Sequence, residues 1–163
     1  MQADIRLFTP ADGADVLAML AAIAALHRAG RPDIFLDSGA KYTQTDLEAI
    51  ASDPNKRIFI ADLPNRRCAG YLFCQCRAAD QHPPVRPCRT LWIDDLFVCP
   101  DCRSRGVGRA LIEFAAAFGR QAGCVRVELN VWGFNREAAA CYVQCGWIYA
   151  ASGCASAPAV CSI

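Results

Sequence analysis

The residues able to do chemistry gather between positions 91 and 109. Leu91-Trp-Ile-Asp-Asp-Leu-Phe-Val98 is a strand-like run that ends at Cys99-Pro100-Asp-Cys102. Arg103-Ser104-Arg105-Gly106-Val107-Gly108-Arg109 follows and opens an apolar-periodic helical stretch. Glycines at a helix start leave first-turn N–H groups bare, and the helix dipole is positive there. Such a loop binds an anion such as a pyrophosphate, because no side chain keeps phosphate oxygens off the backbone. A P-loop requires Lys and then Ser or Thr after its last glycine, whereas Arg109-Ala110 stand here. A dinucleotide fingerprint requires a third glycine, and a single Gly-x-Gly is present.

Just upstream lie two adjacent carboxylates, Asp94 and Asp95. Neighbouring residues of a regular strand point to opposite faces, so one of the two meets whatever cleft forms on its side. Each is either a proton acceptor or a strand-end cap paired with an arginine. The two histidines, His27 and His82, sit in a helical and a proline-rich context without an elbow motif, which argues against a Ser-His-Asp or Cys-His triad.

The elements that must position these groups alternate along the chain. Asp4 to Phe8 reads as a strand. Thr9-Pro-Ala-Asp12 is a helix start with Thr as N-cap, Pro at the first position and Asp closing a capping box. Val16, Leu20, Ile23 and Ala24 then recur at helical spacing, and Gly30 with Pro32 ends the helix. A second helix is expected within Gly39 to Ser52, firmest over Asp46 to Ala51. Arg57 to Ala61 and Ala69 to Cys76 form a hairpin around Asp62-Leu-Pro-Asn65. Asp80 to Arg89, with three prolines, is a loop. A helix from Gly108 to about Gly123, a strand from Cys124 to Val131 and a helix beginning near Asn135 follow. This order predicts an α/β fold on a mixed sheet, with hairpins early and crossover connections late.

The (Arg)-x-x-Gly-x-Gly loop after an acidic strand resembles the acetyl-CoA loop of the GNAT superfamily of N-acetyltransferases. Asn135-Arg-Glu-Ala-Ala-Ala-Cys-Tyr142-Val-Gln-Cys-Gly146-Trp147 is similar to that family's Asn-x-x-Ala-x-x-x-Tyr-x-x-x-Gly-Phe segment. The resemblance implies a mostly antiparallel central sheet with one splayed parallel pair and flanking helices, in one domain over residues 1–163. It implies acetyl-CoA as co-substrate, held by Arg103 to Arg109 and Asn135, with the pantetheine laid along Leu96, Phe97 and Val98. The oxyanion donor would then be a backbone N–H of that strand edge. It also implies Asp94 as the base, where the family often has Glu acting through water, and Tyr142 as the proton donor to the departing thiolate. Tyr142 packed in the core and Asn135 as a plain N-cap are the alternatives. The first helices and their loop would form the acceptor site, with His27, Arg31, Phe35, Tyr42 and Asp95 as candidates.

A base has work to do in such a reaction. An alkyl amine with a pKa near 10.4 is neutral in only about one molecule in 2,500 at pH 7, a deficit of roughly 4.6 kcal/mol. A positioned base contributes about 10²- to 10⁴-fold.

Composition agrees with a compact enzyme of 163 residues and narrows its partners. A net charge of +1 argues against nucleic acid or an anionic membrane surface. Val16 to Leu26, the longest apolar stretch, is shorter than a bilayer span. No signal-peptide pattern opens the chain, so a cytoplasmic protein is expected. Eleven cysteines in such a chain read as buried thiols rather than a disulfide framework. Cys99-x-x-Cys102 lacks a second pair at zinc spacing, so no metal is expected. Ala150 to Ile163 is uncharged, and only Pro158 to Ile163 is expected to pair, weakly. That leaves open the closing edge, an acceptor surface or the contact of a homodimer. Two function classes remain: an N-acetyltransferase acting on a primary amine by direct transfer, and a non-catalytic acyl-CoA-binding sensor on the same fold.

Overall fold

The computed structural model describes residues 3–36, 40–78, 88–146, 148–149 and 156–162, the last two stretches as backbone. The elements are β1 (Asp4–Leu7), α1 (Gly13–Gly30), α2 (Gln44–Ser52), β2 (Lys56–Leu63), β3 (Arg66–Ala78), β4 (Arg89–Val98), α3 (Val107–Gln121), β5 (Cys124–Trp132), α4 (Arg136–Gln144), β6 (Ile148–Tyr149) and β7 (Ser156–Ser162). They build one seven-stranded sheet in the order β1-β2-β3-β4-β5-β7-β6. β4 and β5 run parallel, and every other neighbouring pair is antiparallel. The expected mixed sheet is the observed one. His82 and most of the proline-rich loop lie outside the described residues.

The core follows from strand and helix periodicity. Ile58 to Ala61 on β2 and Cys68 to Cys74 on β3 are buried without interruption. Successive strand residues face opposite ways, so these strands are covered on both faces. α3 buries Val107, Leu111, Ile112, Ala115 and Gly119, one stripe at helical spacing. Its Phe114 and Phe118 rings meet Phe59 of β2 edge-on, with centroids 5.1 and 5.7 Å apart. α1 packs through Val16, Met19 and Leu20.

Two helix starts form as their sequences dictate. Thr9 and Asp12 make a reciprocal capping box, on a 3-10 turn that leads into α1. Thr43 and Asp46 do the same at α2.

Two expectations change. Helical residues Pro10–Gly30 span 21 residues and are apolar enough, by length and composition alone, to cross a bilayer. The shortness of Val16 to Leu26 therefore decides nothing about membranes, since alanines outside that run extend the apolar helix. The C-terminal stretch pairs more fully than its composition suggests. β7 lies along β5 from Arg126↔Ser162 to Trp132↔Ser156. A backbone ladder needs no charged side chain. Pro158, which cannot donate, is tolerated because β6 reaches only Val160 and Ala159.

Candidate active site

The site is built where the parallel pair comes apart. β4 and β5 are paired from Arg89↔Cys124 to Ile93↔Leu129 and no further. Beyond that point Leu96, Phe97 and Val98 stay bonded to β3, opposite Leu72, Tyr71 and Gly70. Residues 130–132 stay bonded to β7. The edges of β4 and β5 that face each other are thus left without strand partners among the described residues. A cavity of about 590 Å³ opens there, walled by β4, β5, α1, α4 and the connection after α1.

At one mouth of the splay lies the glycine loop. Pro100–Cys102 form a 3-10 turn, and Ser104 (φ 58°) and Gly106 (φ 81°) take left-handed conformations before α3 begins at Val107. Gly106 is required by its backbone angle, and a Cβ there would meet nothing within 4 Å. Gly108 is different: a Cβ would touch Val98 Cγ2 at 3.6 Å and Cys141 Sγ at 3.9 Å, ordinary contacts. Packing alone therefore does not require a glycine there. No side chain caps α3. Arg103 bonds the Val98 carbonyl and Glu137, and Arg109 pairs with Glu113. Arg105 has no ion-pair partner among the described residues. Three arginines thus flank the start of α3 in sequence, and no side chain caps its first turn.

The two carboxylates behave otherwise than a regular strand predicts. Phe73 of β3 pairs with Asp95 and Cys74 pairs with Ile93, so Asp94 is an extra, unpaired residue in a bulge. The bulge re-aims the side chains, and both carboxylates reach the same ammonium: Lys41 Nζ lies 2.9 Å from Asp94 Oδ2 and 3.1 Å from Asp95 Oδ2. The opposite-face expectation for this pair is corrected accordingly.

Their environments differ. Asp94 keeps 38% of its side chain exposed, while Asp95 keeps 6%. Burial pushes Asp94 up, but hydrogen bonds from Lys41 and Tyr42 outweigh it and hold the carboxyl below its usual range. At Asp95 burial wins over the Lys41 charge, and the carboxyl is raised. Tyr71 Oη donates to Asp95 Oδ1 at a long 3.4 Å.

The remaining candidates divide. Tyr142 of α4 is buried and lines the cavity with Asn135 and Ala138. Burial raises its phenol, which stays protonated at neutral pH. Asn135 caps α4, its Oδ1 accepting from the Ala138 N–H at 3.1 Å. His27 and Phe35 stack at 5.0 Å on the cavity wall, and Phe35 meets Trp132 edge-on at 5.1 Å. Burial lowers the His27 pKa, so the ring is a neutral platform. Tyr42 stacks on Phe73 and donates to Asp94 at 3.0 Å. Arg31 is not brought in: it pairs with Asp33 at 2.6 Å and is absent from the cavity wall.

Sequence reasoning missed Lys41, Tyr71 and Trp132. Lys41 left one faint signal, as one of only two lysines among seventeen basic residues. Among the described residues no group of three or more His, Cys, Asp or Glu side chains could hold a metal. The nine cysteines whose side chains are described are free thiols.

A mixed sheet opening beside a glycine-rich helix start is the frame of an acyl-CoA transferase. The sequence model of the acetyltransferase (GNAT) family matches residues 20–147, and the chain belongs to that family. Over 116 residues, 71% of the chain, it is 28% identical to streptothricin acetyltransferase of Streptomyces lavendulae. That match spans 56% of the relative's length. Two solved structures share the fold. The BH1408 protein of Bacillus halodurans, as a tetramutant, superposes with a TM-score of 0.84 at 21% identity, over 93% of this chain and 96% of that one. The PaiA N-acetyltransferase of Thermoplasma acidophilum, in complex with coenzyme A, does so with a TM-score of 0.76 at 13% identity, over the full length of both.

Proposed function

We propose that this protein is an acetyl-CoA-dependent N-acetyltransferase, working as one domain in the cytoplasm and passing the acetyl group directly to a primary amine in a ternary complex. One observation carries the reading: the parallel pair opens after Ile93 and Leu129 between an uncapped, arginine-rimmed helix start and two converging carboxylates. An extended thioester chain fits the unpaired edge of Leu96 to Val98 as a strand would, with its pyrophosphate at Gly106 to Arg109.

The residues divide the work. A backbone N–H of the Leu96–Val98 edge faces the thioester oxygen and stabilises the oxyanion as the amine adds. Asp94, the more exposed carboxylate, draws in the acceptor ammonium and relays its proton. Asp95, raised by burial, is the better matched acceptor for that proton, because a raised carboxyl is closer to the amine in proton affinity. When the tetrahedral intermediate collapses, the C–S bond breaks and Tyr142, still protonated, supplies the hydrogen to the thiolate. His27, Phe35 and Trp132 offer an apolar wall for the carbon skeleton of the acceptor.

Calorimetry with CoA, followed by thiol release from acetyl-CoA over a panel of amines, tests this. CoA binds the wild type and is lost in Gly106→Asp, which adds bulk and negative charge at the phosphates and strains a left-handed position that favours glycine. Undiminished affinity in that variant removes the loop assignment. CoA binding without amine-dependent thiol release instead favours the non-catalytic sensor.

A further inference from the structure

Lys41 stands where an acceptor would stand. Its Nζ lies between the two carboxylates, within 3.1 Å of both. It reaches them from the connection between α1 and α2, outside any helix or strand. It is also the one cation that pairs with buried Asp95 among the described residues. A carboxylate this buried does not stand ionised without a positive partner, since the desolvation cost is several kcal/mol. Arginine, the usual cation of this chain, would bring a broad fork; here a primary ammonium occupies a slot sized for one. The slot lies on the cavity that also holds Asn135 and Tyr142.

We propose that Lys41 is a built-in surrogate of the acceptor: the Asp94–Asp95 slot binds the acceptor amine as a primary alkylammonium, and Lys41 fills it until an acceptor displaces it. The proposal rests on the transferase reading for the identity of the acceptor. The exchange is isoelectric, one ammonium for another, so Asp95 is never left uncompensated. Lys41 can leave without breaking a ladder or a helix, because no regular backbone hydrogen bond carries it. The slot thus selects acceptors that bear an unbranched aliphatic ammonium, and it sets their apparent affinity by competition with the chain's own side chain.

The probe is n-butylammonium, the free analogue of the lysine side chain, with n-butanol and tetramethylammonium as controls. Lys41→Ala without acetyl-CoA is expected to gain several degrees in Tm with n-butylammonium and with neither control, while the wild type gains nothing at the same concentrations. With acetyl-CoA present, the KM for n-butylamine should fall about tenfold in Lys41→Ala, the change appearing in KM rather than kcat. Lys41→Gln, uncharged and one atom shorter but retaining most of the side-chain packing, should shift KM in the same direction and serves if the alanine variant is unstable. Equal response to tetramethylammonium, or a KM unchanged or raised in both variants, overturns the proposal. CoA calorimetry on the same proteins separates the failures: with CoA binding intact, an unchanged KM removes only the role of Lys41, whereas loss of CoA binding in the wild type removes the transferase reading.

Discussion

Two clusters of opposite charges occupy this protein, and they are built to different ends. The first joins β1 to the start of α1 and the β2–β3 hairpin. Asp12, fully buried, accepts from both terminal nitrogens of Arg6 at 2.7 and 2.9 Å, from Arg67, and from Thr9 through N–H and hydroxyl. Arg6 also bonds Asp62, which accepts from the Cys68 N–H. The second is Lys41 with Asp94 and Asp95. There a single point charge on an irregular segment serves two carboxylates at a cavity. Each centres on a buried carboxylate, Asp12 in the first and Asp95 in the second, but the first sets two arginines against two carboxylates and the second one lysine against two. What separates them is redundancy. A carboxylate with six donors, drawn from β1, β3 and the turn before α1, locks a fold, whereas carboxylates sharing one removable cation make a site.

The largest expected effect belongs to the first cluster. Asp12→Ala removes the buried acceptor of Arg6, Arg67 and the Thr9 N–H and should cost about 2–3 kcal/mol in chemical denaturation. A loss below about 1 kcal/mol would show the cluster to be dispensable and erase the contrast. Asp95→Asn should reverse the pattern, lowering kcat/KM on the order of 100-fold with little loss of stability. Stability loss as large as that of Asp12→Ala would place Asp95 among the locking groups.

Asp94→Asn should cost about 10-fold at neutral pH and recover as pH approaches the pKa of the free amine, where neutral acceptor is abundant. A pH–rate profile parallel to the wild type would remove Asp94 from proton transfer.

The two clusters should also differ in sign against pH. Asp12 is depressed in the fold by its Arg6 hydrogen bonds, so its stabilisation is present above the unfolded value near 3.9 and is lost as pH falls through the folded one. Asp95 is raised by burial, so the folded state holds its proton longer and stability falls as pH climbs from about 3.9 through the folded value. Melting curves of Asp12→Asn and Asp95→Asn against pH should depart from wild type in opposite directions, and departures of equal sign would contradict the assignment. The smallest effect is expected from Arg31→Ala, whose exposed pair with Asp33 stands off the cavity. Neither its melting midpoint nor its KM should move measurably.

The local features were legible in the residues themselves. Thr9-Pro-Ala-Asp12 announces a helix start because its capping groups are three residues apart. The apolar stripe of α3 shows because helical periodicity repeats within one segment. Gly106 and Gly108 mark an open helix start because neither carries a side chain, and Gly106 supplies the left-handed turn before it. The GNAT resemblance was carried by the glycine loop after the acidic strand and by Asn135 to Trp147.

Other features were decided only in three dimensions. Asp94 leaves the alternation of its strand because β3, far back in the chain, pairs around it, and a bulge is a property of two strands. Lys41 meets Asp94 across 53 residues, a contact no periodicity encodes. β7 pairs along β5 although its residues carry little signal, because an unpaired strand edge accepts any extended backbone. The type of each element and the chemistry of its loops are thus set by interactions a few residues long. Which carboxylates converge, and which cation holds them, depends on long-range pairing and burial, and those exist only once the sheet has assembled.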